Sequence, residues 1–170
     1  NHNMIKYQRA LQILKKNKIR IKTEKISPLS SVNRISSQNV YSPYNYPAAN
    51  NTAFDGYAIN SSETKGLNKK NTKLFKIIGT IAAGSKPIKK MNKKFRSIEI
   101  MTGGLLSKPF NTIIPIEQIS FYPNKRKPKF ILINKKISRL NHVRLKGSDY
   151  RKNDLIIKKG TIIQPNHILT

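Results

Sequence analysis

Between residues 4 and 17 the chain reads MIKYQRALQILKKN. Met4, Tyr7, Ala10, Leu11 and Leu14 recur three or four positions apart, with Lys6, Arg9, Lys15 and Lys16 largely on other faces. That spacing predicts one amphipathic helix. Beyond it the period shortens. TKLFKIIGTIAAG (72–84), RSIEIM (96–101), NTIIPIEQI (111–119) and KFILIN (129–134) are β-branched or alternating runs of strand length. Polar stretches connect them, and YPNKRKPK reads as a lysine-rich hairpin loop between the last two runs. After residue 142 come short strands broken by Gly147-Ser148-Asp149, Asn153-Asp154 and Lys159-Gly160. The pattern predicts a mainly β chain with one N-terminal helix, and no repeat of fixed period.

Composition refines this picture in two ways. Ile, Leu, Val and Phe make up 46 of 170 residues, above the roughly 20% below which a highly charged chain stays disordered. A core is therefore within reach, though a mean hydropathy of -0.53 predicts a thin one. The formal net charge is +27, which favours anionic partners through long-range attraction. Lys (26), Asn (18) and Ile (25, against 3 Val) are enriched together. AT-rich codons produce that combination in any protein, so the charge has a compositional source as well as a functional one. Arginine, the better bidentate reader of phosphate, numbers eight.

Several chemistries are excluded or weakened. With no cysteine there is no disulfide, thiolate nucleophile or iron–sulfur ligation. His2, His142 and His167 lack any short ligand spacing. No Walker loop, dinucleotide fingerprint or G-x-S-x-G elbow occurs. Tyrosines cluster in VYSPYNYP instead of interleaving with basic residues along strands, so nucleic acid is not an expected partner. No apolar run reaches membrane-spanning length and no signal-peptide pattern opens the chain. A cytoplasmic protein without a membrane partner is expected, with Met4 as a candidate natural start.

Three places remain as candidate chemistry. Asp55, one of seven carboxylates, stands in NNTAFDGYAIN before Gly56; Asp-Gly is a turn signal, and equally a way to aim an acid. MTGGLL (101–106) ends an Ile-rich strand with Thr102, Gly103 and Gly104, a turn that can offer a hydroxyl and unblocked backbone N–H groups to an anion. Glu117 closes IIPIE and could be half of an ion pair.

The order of these segments resembles the molybdopterin molybdotransferases, bacterial MoeA and the E domain of gephyrin. NRISSQNVYSPYNYPAANNTAFDGYAIN is similar to that family's Gly-Arg-x-Leu-Ala-x-Asp-Val-x-Ser-Pro, Leu-Pro and Asn-Ser-Ala-Met-Asp-Gly-Tyr-Ala. IIGTIAAG resembles its Gly-x-Ile-x-Ala-Gly segment. IEIMTGGLLSKPFNTIIPIEQ resembles its Ile-Met-Thr-Gly stretch with a later Val-Val-x-x-Glu, and VRLKGSDYRKNDLIIKKGTIIQPNHI its Gly-Glu-Asp, Gly-Asp, Gly-x-x-Leu ending. Asn33 replaces a favoured Gly, Phe54 a Met, and Asn111 a frequent Asp.

The resemblance runs from about Met4 to Thr170 and implies the N-terminal portion of such an enzyme, which inserts molybdate into adenylylated molybdopterin and releases AMP with Mg2+ assisting. By resemblance Asp55, Thr102 and Glu117 are catalytic, Asp55 is a possible Mg2+ ligand, and Gly103 and Gly104 bind substrate. It also implies a homodimer acting on small anionic substrates, its cleft shared between subunits. Residues 23–40 and 135–170 are expected to form one β-rich domain, with 41–134 inserted as a barrel-like second, the whole elongated. Residues 1–22 form a helix that in the family packs on an α/β domain lying beyond this sequence. That helix is expected to swap, fold back or fray, and the chain by itself to be inactive. The alternative is a basic binding module or scaffold without catalysis.

Overall fold

The computed structural model describes residues 4–19, 21–86, 88 and 93–169; His2 lies outside them. In chain order the elements are α1 (Tyr7–Lys16), β1 (Val40–Tyr41), β2 (Asn51–Thr52), β3 (Gly56–Ile59), β4 (Lys73–Ile81) and β5 (Arg96–Ile100). There follow β6 (Thr112–Pro115), β7 (Ser120–Tyr122), β8 (Phe130–Ile133), β9 (Val143–Arg144), β10 (Leu155–Ile157) and α2 (Pro165–Ile168). The mainly β expectation holds, with its helix near the N-terminus.

By packing the chain forms two units, Asn1–Val40 with Leu155–Thr170, and Tyr41–Asp154. In the first, residues 33–36 and 160–163 run antiparallel. The Asn33 N–H donates to the Ile163 carbonyl (2.8 Å), and Ser36 and Gly160 exchange similar bonds with Thr161 and Ser36. Among the described residues of this unit, Ile157 is the buried apolar one. No residue of α1 is buried; Tyr7 and Leu14 stay exposed.

The second unit is built on a curled six-stranded sheet, ordered β6-β3-β5-β4-β8-β7. All neighbours are antiparallel except β4 and β5, which run parallel with a register shift between Ile77 and Thr80, around Gly79. The sheet forms because its strands are Ile-rich, and both faces are covered. Tyr57, Ile59, Phe75, Ile114, Ile131, Ile133 and Ile137 pack on one side. Ala58, Ile81, Ile98, Ile100, Phe110 and Ile113 pack on the other. Alternation along β3 sends Tyr57 and Ile59 one way and Ala58 the other, so each residue of Gly56–Ile59 is buried. Burying one Ile side chain supplies about 1.5–3 kcal/mol.

Two expectations need correction. The run 111–119 does not continue as one strand into a hairpin with 129–134. It ends at Pro115, enters a short 3-10 turn (Ile116–Gln118), and the hairpin partner of β8 is β7. Pro115 cannot donate a further ladder bond, so β6 stops there and pairs with β3 instead. Residues 135–154 group with the inserted unit and not with the flanking one. Hydrogen bonds hold them there. Ile137 N–H donates to the buried Thr64 Oγ1 (2.9 Å), Thr112 Oγ1 to the Ser138 carbonyl (2.7 Å), and β9 pairs with β2.

Candidate functional site

Asp55 ends a bend over residues 53–55 that leads directly into β3. Thr52, almost wholly buried, shapes it. Its Oγ1 accepts from Phe54 N–H (3.1 Å) and donates to the Phe54 carbonyl, while the Ala53 N–H reaches the His142 carbonyl (3.3 Å). The Phe54 ring stands edge-on to His142, centroids 5.0 Å apart. The Asp55 carbonyl accepts from Ile116 N–H (3.1 Å). The backbone around the acid is thus tied on both sides.

Gly56 plays a different part from the one its Asp-Gly context suggests. Its backbone is not in the left-handed region; it is the first residue of β3. A Cβ there would lie 2.1 Å from the Ile114 carbonyl oxygen, so glycine is required by the close approach of β6. The Asp-Gly pair is a strand entry, not a two-residue turn.

The hydroxyl comes from the far end of β5. The Met101 carbonyl accepts from Gly104 N–H (2.8 Å), closing a turn whose third residue, Gly103, has φ 80, a conformation that favours glycine. Past the turn the chain docks along β2. Gly103 N–H donates to the Thr52 carbonyl (3.0 Å), Thr52 N–H to the Gly104 carbonyl (3.1 Å), and Leu106 N–H to Asn50 (2.9 Å). This docking delivers Thr102 to Asp55 across 47 residues of sequence. Asp55 Oδ1 accepts from both Thr102 N–H (2.6 Å) and Thr102 Oγ1 (2.7 Å), at an exposed edge. Oδ2 has no hydrogen-bond partner among the described residues.

Those two donors, the backbone N–H first and the hydroxyl second, hold the Asp55 carboxyl below the usual carboxylate range. The group is a fixed anion and a weak proton acceptor near neutrality. It suits holding a cation or orienting a water better than general-base work.

The remaining sequence candidates fare differently. Gly103 and Gly104 sit beside Thr102, but their N–H groups are already bonded within the protein, as is that of Thr102. The expected cradle of unblocked amides is therefore closed; the geometry that brings Thr102 to Asp55 consumes the donors. Glu117 lies in the 3-10 turn directly after Ile116 and is exposed. Its carboxylate makes no hydrogen bond to Asp55 or Thr102 and has no ion pair among the described residues. Among the described residues no group of three or more His, Cys, Asp or Glu could hold a metal. Asp55 could therefore supply at most one protein ligand to a cation such as Mg2+.

A neighbouring feature escaped the sequence reading. Tyr57, Glu99 and Thr80 lie abreast on three adjacent strands. Thr80 Oγ1 donates to Glu99 Oε2 (2.8 Å). Burial first, and then Glu99's charge and hydrogen bond, push the Tyr57 phenol up to about 12. The available signal was an acid, Glu99, inside the Ile-rich run RSIEIM, where a pleated strand directs alternate side chains to one face.

Comparison with known proteins agrees with this architecture. Residues 5–170 match the family model described as MoeA N-terminal region (domain I and II). The molybdopterin molybdenumtransferase of Staphylococcus aureus strain N315 is 28% identical over 138 residues, covering 81% of this chain and 32% of its own length. That of Staphylococcus epidermidis strain ATCC 12228 is 26% identical over 156 residues, covering 92% and 36%. The crystal structure of a molybdopterin biosynthesis MoeA protein from Pyrococcus horikosii superposes with a TM-score of 0.85 at 26% identity, covering 98% of this chain and 41% of that one. This chain spans about a third of the length of the curated relatives it matches. With a family match along nearly its whole length and a close structural likeness, the chain belongs to the MoeA N-terminal region family.

Proposed function

We propose that this chain contributes to molybdenum cofactor biosynthesis as the N-terminal part of a molybdopterin molybdotransferase. Such an enzyme inserts molybdate into adenylylated molybdopterin and releases AMP. The observation that carries the reading is the Asp55 carboxylate gripped through Oδ1 by Thr102, with Oδ2 left open at an exposed edge. The relatives' name supplies the reaction class.

In this reading Asp55 holds negative charge at a fixed point beside the adenylyl phosphate. Thr102 sets the carboxylate's orientation and keeps it ionised. Mg2+, when bound, offsets phosphate charge, with Asp55 as its ligand from this chain. Glu117 follows Ile116, whose N–H bonds the Asp55 carbonyl, and a part for it would need substrate or the partner copy to reach it. The pterin-holding face comes from domains beyond this chain, provided by the partner copy of a homodimer in the cytoplasm. Positioning supplies much of the rate in such reactions, so residues 1–170 by themselves release no AMP.

The test is a chimaera in which this chain replaces the matching first third of a Staphylococcus molybdopterin molybdenumtransferase. AMP release from adenylylated molybdopterin and molybdate is followed, with circular dichroism and sedimentation reporting folding and assembly. Asp55→Asn is expected to lower the rate about 100-fold or more in a folded dimer. A folded Asp55→Asn chimaera working at the unmutated rate overturns the assignment, as does AMP release by the 170-residue chain alone.

A further inference from the structure

Three separated segments of the inserted unit, 60–65, 108–111 and 136–139, line an open hollow of about 830 Å3. That volume falls within the ~300–1,000 Å3 of small-molecule sites. Its walls are locked from behind by buried polar groups. Thr64, and Thr112 directly after the second segment, both with no exposed surface, bond to the third segment through Ile137 N–H (2.9 Å) and the Ser138 carbonyl (2.7 Å). Asn111 ties the first two together, its Oδ1 accepting from Ser61 N–H (2.9 Å), while its carbonyl accepts from Leu140 N–H (2.9 Å). The concavity is therefore set before any ligand arrives.

Its charge is one-sided. Lys65, Lys108, Lys136 and Arg139 line it, and no carboxylate does. Among the described residues none of the four has an ion pair. A basic chain scatters cations over all its surface, and here four from three segments line one hollow. The same lining holds apolar side chains, Pro109, Phe110 and Ile137, the last two buried. A bare oxyanion would use the cations and leave the apolar groups uncovered. The combination suits a molecule with several phosphate charges at one end and an organic body at the other.

We infer that this hollow binds a small organic polyphosphate, of the class of nucleoside di- and triphosphates. It shares no lining residue with the Asp55–Thr102 pair, and the inference stands or falls independently of the molybdotransferase reading. The full chain, 15N-labelled, is titrated with ATP, pyrophosphate and adenosine at low ionic strength, with calorimetry alongside. ATP is expected to bind more tightly than pyrophosphate and far more tightly than adenosine, with shifts confined to the three segments. Lys136→Glu with Arg139→Glu should weaken ATP at least about tenfold. Lys125→Glu with Arg126→Glu, the same charge change in the 123–129 loop, should alter it less than about twofold. Lys65→Gln with Lys108→Gln, on the other walls, gives a second reading if the charge reversal disturbs folding. No ATP binding, pyrophosphate binding as tightly as ATP, adenosine binding as tightly as ATP, or equal loss in the 125–126 control overturns the assignment.

Discussion

Asp55 and Thr102 are 47 positions apart, and one carboxylate oxygen joins them. Because the Thr102 N–H is the larger cause of the lowered Asp55 pKa and the hydroxyl the second, the two separate by mutation. Thr102→Val removes the hydroxyl and keeps the N–H, so the Asp55 carboxyl should titrate closer to its ordinary value without reaching it. Carbon-detected NMR of the Asp55 side chain from acid to neutral pH reads this, and an unmoved midpoint would deny the hydroxyl its part. The linkage sign follows. A depressed folded pKa gives stability that is present above the unfolded pKa and is lost as pH falls through the folded one. Thr102→Val narrows that acid window. At the same scale Asn33, standing where the resembled family favours Gly, has φ 65. Such a left-handed backbone favours glycine, and Asn is among the few other residues that tolerate it.

At the scale of elements, the strands announced themselves by Ile-rich alternation, and β4, β5 and β8 fall within the runs that predicted them. The two-residue strands β1, β2 and β9 carry no period long enough to read, yet β2 is the platform on which the Thr102 turn docks. Pairing was no more legible. Nothing local in Gly56-Tyr57-Ala58-Ile59 states that β3 will lie between β5 and β6. The consequence is testable at Gly56. Gly56→Ala places a methyl 2.1 Å from the Ile114 carbonyl, so β3 and β6 must separate. A loss of roughly 1–3 kcal/mol or more is expected from such overpacking, read by urea denaturation. An unchanged midpoint would mean that β6 does not approach as described. The helix behaves oppositely. Its amphipathic period was plain in sequence, and the fold of this chain buries none of it.

Over the whole molecule, 34 basic residues face seven acids, and the acids are mostly engaged. Glu24 pairs with Arg34 and Asp149 with Arg144. Glu63 accepts from Phe95 N–H, Glu99 from Thr80, and Asp154 from Arg151 N–H. Too few carboxylates remain to neutralise the surface, so like charges repel in the compact state. Raising the ionic strength from low salt to about 0.15 M should therefore raise Tm, since the Debye length falls to about 8 Å. Calorimetry checks this, and a flat or falling Tm would show that self-repulsion is not limiting.

Period, composition and residue type are local properties, and they sufficed for the mainly β class, the helix, the position of the acid and the hydroxyl, and the scarcity of partners for so much positive charge. Strand pairing, the grouping of 135–154 with the inserted unit, the spent amides of Gly103 and Gly104, and the meeting of Asp55 with Thr102 are not local. Each depends on which segments lie side by side, and that is decided when the two faces of one curled sheet are covered together. A sequence can therefore supply both members of the Asp55–Thr102 pair while only the packed sheet determines that they touch.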